Sequence, residues 1–367
     1  MNANKSKVVI TSIGVSSPIG NDLSHFAKNY DQSSEVATSH IDDAQLEEEL
    51  GQFKKVNQRR MDRLTKITMM SAITCLEDAK IDIDESTIND VGGIFCTAYG
   101  PIASARDFIN SGFELGLDSA SPLLFPYTVG NAAPGAITVL MKSRGYNTTV
   151  SGYNPIAYAF DVIRQKKAKA ILAGGFEELS PEVEAAYNTR TIVNGNGLKK
   201  QASVSLMSEG AVMMFVEDAE FAKARNADVL FEVCGYGVNS NLQRVEKSID
   251  NFGYIAPQSI LNCMKTSLVR SEVASSSIDL IISLSREDSR QTESESDAIK
   301  QLWPENTPEV HYVKQVLGET FGASDGFAAV AGYVKAKKIK GTDQNKKHVM
   351  VNSYHIGGNC FSMIIAV

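Results

Sequence analysis

The residues best placed to do chemistry lie in TTVSGYNPIAYAFDVIRQKKAKAILAGGFEE, from Thr148 to Glu178. Thr148, Thr149 and Val150 are strand formers. Gly152 and Tyr153 lead into Asn154-Pro155, after which Ile156, Tyr158, Ala159, Val162 and Ile163 recur at helical spacing. Ala168 to Ala173 is a short apolar run closed by Gly174-Gly175, which suits a buried parallel strand. A strand that breaks sharply into a helix is a common seat for a nucleophile. The helix N-terminus supplies free N–H groups and a positive field that favour a thiolate or an oxyanion. This turn carries no cysteine. Asn154 cannot replace one, because an amide is not a nucleophile. It suits a structural task instead: Asn is a favoured helix N-cap, Pro155 fits the first helical turn, and a residue before proline is kept out of the α region. Ser151 is the nearest hydroxyl and, without a histidine base, reads as a strand residue. His355, in VNSYHIGGN, could act as an acid or base, but a lone histidine with no named partner is as a rule structural.

The rest of the chain sets the bounds. Its 367 residues, 43% apolar with 27 glycines and 10 prolines, can bury a large core as one big domain or two closely packed halves. A net charge of −7 with interspersed signs argues against nucleic acid or an acidic membrane surface as partner. The five cysteines (Cys75, Cys96, Cys234, Cys263, Cys360) are scattered, with no CxxC and no Cys/His pair at metal spacing. Reduced thiols, no metal and no cofactor are therefore expected. The start, MNANKSKVVITSIGV, is too short and polar for a signal peptide, and no apolar run approaches the roughly 18 residues of a membrane span. The expectation is a soluble cytoplasmic protein.

The elements that must hold the turn follow from periodicity. Val8 to Val15 reads as a strand, residues 21 to 58 as a polar surface excursion, and Arg59-Arg60-Met61-Asp62-Arg63 as the opening of a helix with Ile67, Met70, Ala72, Ile73 and Leu76 buried. VGGIFC (Val91 to Cys96) is a strand, followed by a helix from about Ile102 to Asn110 and another from about Ala136 to Lys142. Glu209 to Glu217 is a strand and Asp218 to Ala224 a short helix. The pattern then begins again: strands at Val229–Val233, Ile278–Leu284, Glu309–Val313, Val349–Asn352 and Phe361–Val367, with helices at Ala256–Val269 and Gly326–Lys337. Both halves run strand, helix, strand, helix, strand, Gly-Gly. The expected fold class is α/β, with two duplicated halves, residues 1–218 and 219–367, whose sheets share central helices.

With these pieces placed, the chain resembles the β-ketoacyl synthases of the thiolase superfamily. VVITSIGVSSPIGN resembles their first strand and turn, RRMDRLTKITMMSAITCLEDAKI their first long helix, and ILAGGFEELSPE the strand after the nucleophile helix. GAVMMFVEDAEFAKARNADVLFEVCGYGVNSN resembles the segment joining the halves, and VNSYHIGGNCFSMIIAV the C-terminal segment with its glycine-rich gating loop, here Tyr354, His355, Ile356, Gly357 and Gly358. The resemblance implies a thiolase-like five-layer αβαβα fold and a dimer paired through Thr148, Thr149, Val150 and Ser151, with Phe125 and Tyr127 as further interface candidates. That family's chemistry uses one cysteine and two histidines. Carried over, the cysteine lands near Asn154 and the first histidine near Ser285, while Glu319 stands in the second histidine's place in KQVLGETFGASDG. All three are lost, so no catalytic residue is assigned. Such a chain resembles the chain length factor (ketosynthase β subunit) of type II polyketide synthases. The resemblance implies pairing with an active ketosynthase α subunit that elongates a poly-β-ketone from malonyl units on an acyl carrier protein. It further implies a chain-length wall at Ala103, Arg106, Phe108, Ile109 and Phe113, and carrier-protein contact at Arg59, Arg60 and Arg63. Two other readings stay open: a ketosynthase-fold enzyme with reassigned chemistry, such as a malonyl decarboxylase using His355 or Ser151 or an acyltransferase, and a scaffold that only stabilises its partner.

Overall fold

A computed structural model describes the chain except residues 1–5, 34–38, 117, 119, 189–190, 194–198, 202–206, 244–253, 286–288, 341–344 and 356. Its core is a ten-stranded sheet made of two sets of five. The first set is β1 (Val8–Ser16), β2 (Val91–Cys96), β3 (Asn147–Val150), β4 (Ala170–Glu177) and β5 (Gly210–Asp218), ordered β3-β2-β4-β5-β1. The second is β6 (Phe231–Ser240), β7 (Ile278–Ser283), β8 (Glu309–Tyr312), β9 (His348–Tyr354) and β10 (Asn359–Ala366), ordered β8-β7-β9-β10-β6. Counted from its own start, each set follows the same order. In each, the third, second and fourth strands are parallel, and the fifth runs antiparallel between the fourth and the first. The expected duplication is thus present strand for strand. The two sets are not separate sheets, however. They join where β1 pairs with β6 at Val8–Val233, Val9–Glu232 and Ile10–Phe231.

Five layers follow from which faces must be dry. α3 (Arg63–Ala79) and α5 (Ala132–Met141) cover the outer face of the first set, and α9 (Pro257–Ser271) and α10 (Arg290–Leu302) lie outside the second. Between them lie α6 (Pro155–Arg164) and α12 (Ser324–Lys340), which touch strands of both sets. A helix between two sheets has no wet side, and GFAAVAGYV in α12 is apolar all round, with Phe327 to Ala331 fully buried.

Three expectations need correction. Residues 21 to 58 are not a surface excursion: they hold α1 (Leu23–Gln32) and α2 (Asp43–Gly51), which bury Phe26, Tyr30, Leu46 and Leu50. The acidic run Glu47-Glu48-Glu49 lies between Leu46 and Leu50, which share a face at i, i+4. The long helix begins at Arg63, not Arg59, because the Asp62 side chain accepts the Thr65 N–H and caps it there. Arg59 and Arg60 sit before the cap in a single 3₁₀ turn. The helix α10 gave no apolar signal because its buried face includes Ser294 and Glu295 beside Ala298 and Ile299.

The layers meet closely at Gly175 on β4. A Cβ there would lie 1.9 Å from the carbonyl oxygen of Gly322, just before α12. Gly175→Ala is therefore expected to destabilise the fold by about 1–3 kcal/mol through overpacking. The check is the chemical denaturation midpoint, and an unchanged midpoint contradicts the contact.

Candidate functional site: a cavity at the strand ends

Parallel strands of both sets end at one place, and a cavity of about 350 Å³ opens there. Its wall is shared between the halves. Cys96, Ala98 and Tyr99 come from the end of β2, Ser151 and Gly152 from the turn after β3, and Leu284 from the end of β7. Glu319, Phe321, Gly322, Ser324 and Asp325 come from the entrance to α12, and Ser353 to His355, Gly357 and Asn359 from the β9–β10 hairpin.

Glu177, at the end of β4, ties these segments together. Its carboxylate accepts from Thr97 Oγ1 (2.9 Å), the N–H groups of Ala98 (2.7 Å), Tyr99 (3.0 Å) and Gly100 (2.9 Å), and, from the other half, the N–H of Gly322 (3.1 Å). Burial pushes this carboxyl up while those donors pull it down. The hairpin is fixed to the turn after β3 by Asn359 Nδ2, which donates to Gly152 O at 3.0 Å. Phe321 is held at φ 47°, a conformation that bulky residues avoid, between the rings of Tyr99 and Tyr187.

The three positions singled out from the sequence behave differently. Asn154 is buried and does not line the cavity: its Oδ1 accepts the N–H groups of Ile156 and Ala157, both at 3.0 Å, as the expected cap of α6. Ser285 also turns away, donating to Glu295 Oε2 at 2.7 Å beneath the sheet, where Asn352 Nδ2 donates to Oε1 at 2.9 Å. The residue facing the cavity is its neighbour Leu284, because successive residues along an extended chain point to opposite faces. Glu319 does line the cavity. Its Oε2 accepts from Lys314 Nζ at 2.5 Å, and its Oε1 from Phe321 N (2.9 Å) and Ser324 Oγ (3.1 Å). Burial pushes this carboxyl up, but Lys314 outweighs it and holds the group below the ordinary carboxylate range.

Two cavity residues escaped the sequence reading. Cys96 lines the wall, but burial pushes its thiol up to about 12, so it is not a thiolate. Asp325, 2% exposed, lies with its Oδ2 3.2 Å from His355 Nε2. The lone histidine of the sequence thus has a partner. Burial pushes the Asp325 carboxyl up and the imidazole down, yet each outweighs this for the other, lowering the acid and raising the base. The signal was present in the sequence: a carboxylate directly before an apolar helix that has to be buried.

The β-ketoacyl synthase N-terminal domain family matches residues 5–222. The chain belongs to the β-ketoacyl synthase family. It is 26% identical over 272 residues to the 3-oxoacyl-[acyl-carrier-protein] synthase 2 of Staphylococcus aureus (strain COL), an alignment that takes in 67% of this chain and 65% of that one. The chain thus spans just under two thirds of that relative's length. The protein of the same name from Synechocystis is 24% identical over 362 residues, 90% of this chain and 85% of the relative. Among solved structures, the ishigamide ketosynthase/chain length factor superposes with a TM-score of 0.80 at 19% identity, covering 99% of both chains. A type II polyketide synthase acyl-carrier protein in complex with its ketosynthase bound to the hexaketide gives 0.79 at 16%, covering 99% and 100%. A β-ketoacyl synthase from Burkholderia phymatum gives 0.78 at 18%, covering 98% and 99%. These likenesses establish the thiolase-like ketosynthase fold. No helix among the described residues is long and apolar enough to cross a membrane.

Apart from Ser151 and part of the gating loop, the remaining predicted residues of this ketosynthase-fold chain lie outside the cavity. Ala103, Arg106, Phe108, Ile109 and Phe113 are on α4 (Ile102–Leu115). Arg106 is occupied at the surface by Glu182 (2.5 Å) and Asp107 (2.9 Å). Phe125 and Tyr127 belong to a 3₁₀ turn facing α4, with the Phe108 and Phe125 rings 5.5 Å apart. Thr148, Thr149 and Val150 form β3 at one end of the sheet, and Ser151 follows it, exposed. Of the gating loop, Tyr354, His355 and Gly357 line the cavity, Gly358 turns the hairpin at φ 90°, and Ile356 lies outside the described residues. Arg59 and Arg60 are exposed. Arg63 is not free for a partner: it is forked onto buried Glu209 with both contacts at 2.6 Å, and reaches Asp43 at 2.7 Å.

Arg63 leaves one neighbour under-compensated. Burial pushes the Glu178 carboxyl up to about 7, and Arg63 at 3.8 Å only partly offsets this against the nearby Asp62, Glu209 and Asp43. A folded pKa above the ordinary value of 4.5 means that the folded state loses stability as pH rises from 4.5 to about 7. Glu178→Gln should therefore stabilise the protein at alkaline pH, on the order of 2 kcal/mol, with the gain vanishing at acid pH. Denaturation curves on both sides of this window test the sign.

Proposed function

We propose that this chain is a non-condensing ketosynthase subunit of the chain-length-factor type. It pairs with an active ketosynthase α subunit and helps set how far a polyketide grows by decarboxylative malonyl condensation on an acyl carrier protein. The observation that carries this reading is the state of the cavity. Its cysteine is a buried thiol, Leu284 is apolar, and Glu319 is locked to Lys314. A carboxylate in that position repels the enolate that condensation must stabilise.

The surface supports a partner. Phe113 (86% exposed), Leu123 (77%) and Phe125 (60%) present large apolar side chains on and beside α4, and β3 offers a sheet edge. Aromatic anchors of this kind dominate interface energetics. In this arrangement α4 borders the partner, and Ala103, Phe108 and Ile109 are the residues assigned to the chain-length wall. Arg59 and Arg60 remain assigned to the acidic carrier protein through charge steering.

Co-expression with a ketosynthase that keeps its cysteine and histidines tests the proposal. The expected outcome is a stable heterodimer, with Phe113→Glu and Phe125→Glu each weakening it by about tenfold or more, a cost of roughly 1.4 kcal/mol per decade. Ala103→Phe should shorten the polyketide released by the pair, read by mass spectrometry. Product length unmoved by substitutions along α4 reduces the chain to a scaffold, and carbon–carbon bond formation by the chain alone contradicts the proposal outright.

A further inference from the structure

We propose that His355 and Asp325 form a general acid–base pair that lets this cavity hydrolyse small acyl thioesters, an activity separate from condensation and from partner binding. The geometry is that of a base held by a buried carboxylate. Asp325 is 2% exposed, its Oδ2 is 3.2 Å from His355 Nε2, and both residues line the cavity. The imidazole is braced from the side by Phe361, edge to face at 5.4 Å. An orienting acid behind an imidazole fixes its ring and stabilises the cation formed when it accepts a proton.

The surroundings are unfinished in a way that points to a ligand. Asp325 Oδ1 and Ser353 Oγ have no well-aligned hydrogen-bond partner among the described residues, although the Ser353 and Asn154 side chains lie against the Asp325 carboxyl and help to lower it, and His355 Nε2 is at ion-pair distance but off the hydrogen-bonding line. Buried polar atoms rarely stay so. The other charged groups facing the imidazole are Glu319 and Lys314, which neutralise each other. The site as a whole is therefore near neutral and suits an uncharged carbonyl compound better than an anion. Leu284, Phe321 and Ala98 supply an apolar wall, and about 350 Å³ accommodates a short acyl chain. The thioester class rests on membership of the β-ketoacyl synthase family, not on the chain-length-factor reading.

The step balances without an oxidant or a metal. Neutral His355 takes a proton from water as the water oxygen bonds to the thioester carbonyl carbon. The tetrahedral adduct then collapses, the C–S bond breaks, and the imidazolium returns the proton to the leaving thiolate. A carboxylic acid and a thiol result. Burial pulls His355 down, but Asp325 outweighs it, Glu319 assists and Lys314 opposes, so its pKa lies above 6.5 and the active base grows in as pH rises.

The experiment uses the full chain, or its complex with a partner ketosynthase whose nucleophilic cysteine has been alkylated with iodoacetamide. In this chain Cys75, Cys96, Cys263 and Cys360 are buried. Acetyl- and hexanoyl-N-acetylcysteamine are the probes, with thiol release followed by a chromogenic disulfide from about pH 6 to 9. The expected result is release about tenfold or more above the buffer rate, rising with pH. His355→Gln should return it to background. Asp325→Asn should lower it and move the rising limb to lower pH, because the imidazole loses its anion. That displacement is a readout that a merely structural Asp325 would not produce. Release by the native chain no faster than buffer at every pH overturns the proposal without any variant. Activity kept by His355→Gln, or an unmoved pH limb in Asp325→Asn, also overturns it. Heterodimer formation by His355→Gln tells the failure of this inference from the failure of the subunit reading.

Discussion

The site depends on one buried carboxylate with five donors. Glu177 closes β4 where an apolar strand would otherwise leave the N–H groups of the next turns unpaired, and it collects them from both halves. Backbone N–H groups out of reach of water must find acceptors. A single carboxylate has about four lone-pair sites, and it serves the turn after β2 and the turn before α12 together because the Gly100 N–H is shared with Thr97 Oγ1. Because Gly175 and Gly322 approach within what a methyl group would fill, the halves cannot slide at this point. The cavity wall is therefore set by the fold and not by the side chains that point into it.

This explains how a ketosynthase scaffold can persist while its reactive residues change. The positions of Asn154, Leu284 and Glu319 are each solved locally: a cap that satisfies two helix N–H groups, an apolar side chain on the wall, and a carboxylate neutralised by Lys314. None of these solutions alters the strand order or the central helices, so folding tolerates all of them at once.

How much of this was legible in the sequence follows from what each signal measures. Strands buried on both faces are apolar runs: GAVMMFVE was found nearly to its ends, whereas AILAGGFE was read as closing at Gly174-Gly175 and in fact runs on to Glu177. The duplication was visible because both halves repeat the same element order, and α12 because it is apolar all round. Elements whose buried face is partly polar gave no such signal. In α10 that face carries Glu295, matched by Ser283, Ser285 and Asn352 from other elements. In α1 and α2 too few apolar residues stand out against a charged background. The cap at Asn154 was readable because capping is local. Arg63 was misjudged because its partner Glu209 is 146 residues away, and the pairing of His355 with Asp325 was hidden for the same reason: it forms only when the hairpin folds onto α12.

The charges kept in the cavity bear on what it is for. Burying an ion pair carries a desolvation cost that its attraction repays only with good geometry, and well-packed apolar residues of similar size often do as well or better. A chain needed only to brace a partner gains nothing from holding His355 against Asp325 beside Glu319 and Lys314, with further polar atoms left unsatisfied next to a cavity. Leucine or phenylalanine would fill that space more simply, as Leu284 does on one wall. The opposite wall is not filled in this way. Its carboxylates and imidazole are close together and largely buried, where small differences in charge act most strongly. An apolar wall at Leu284 and a charged wall at His355, Asp325, Glu319 and Lys314 are therefore separate facts about this chain, and its function has to accommodate both.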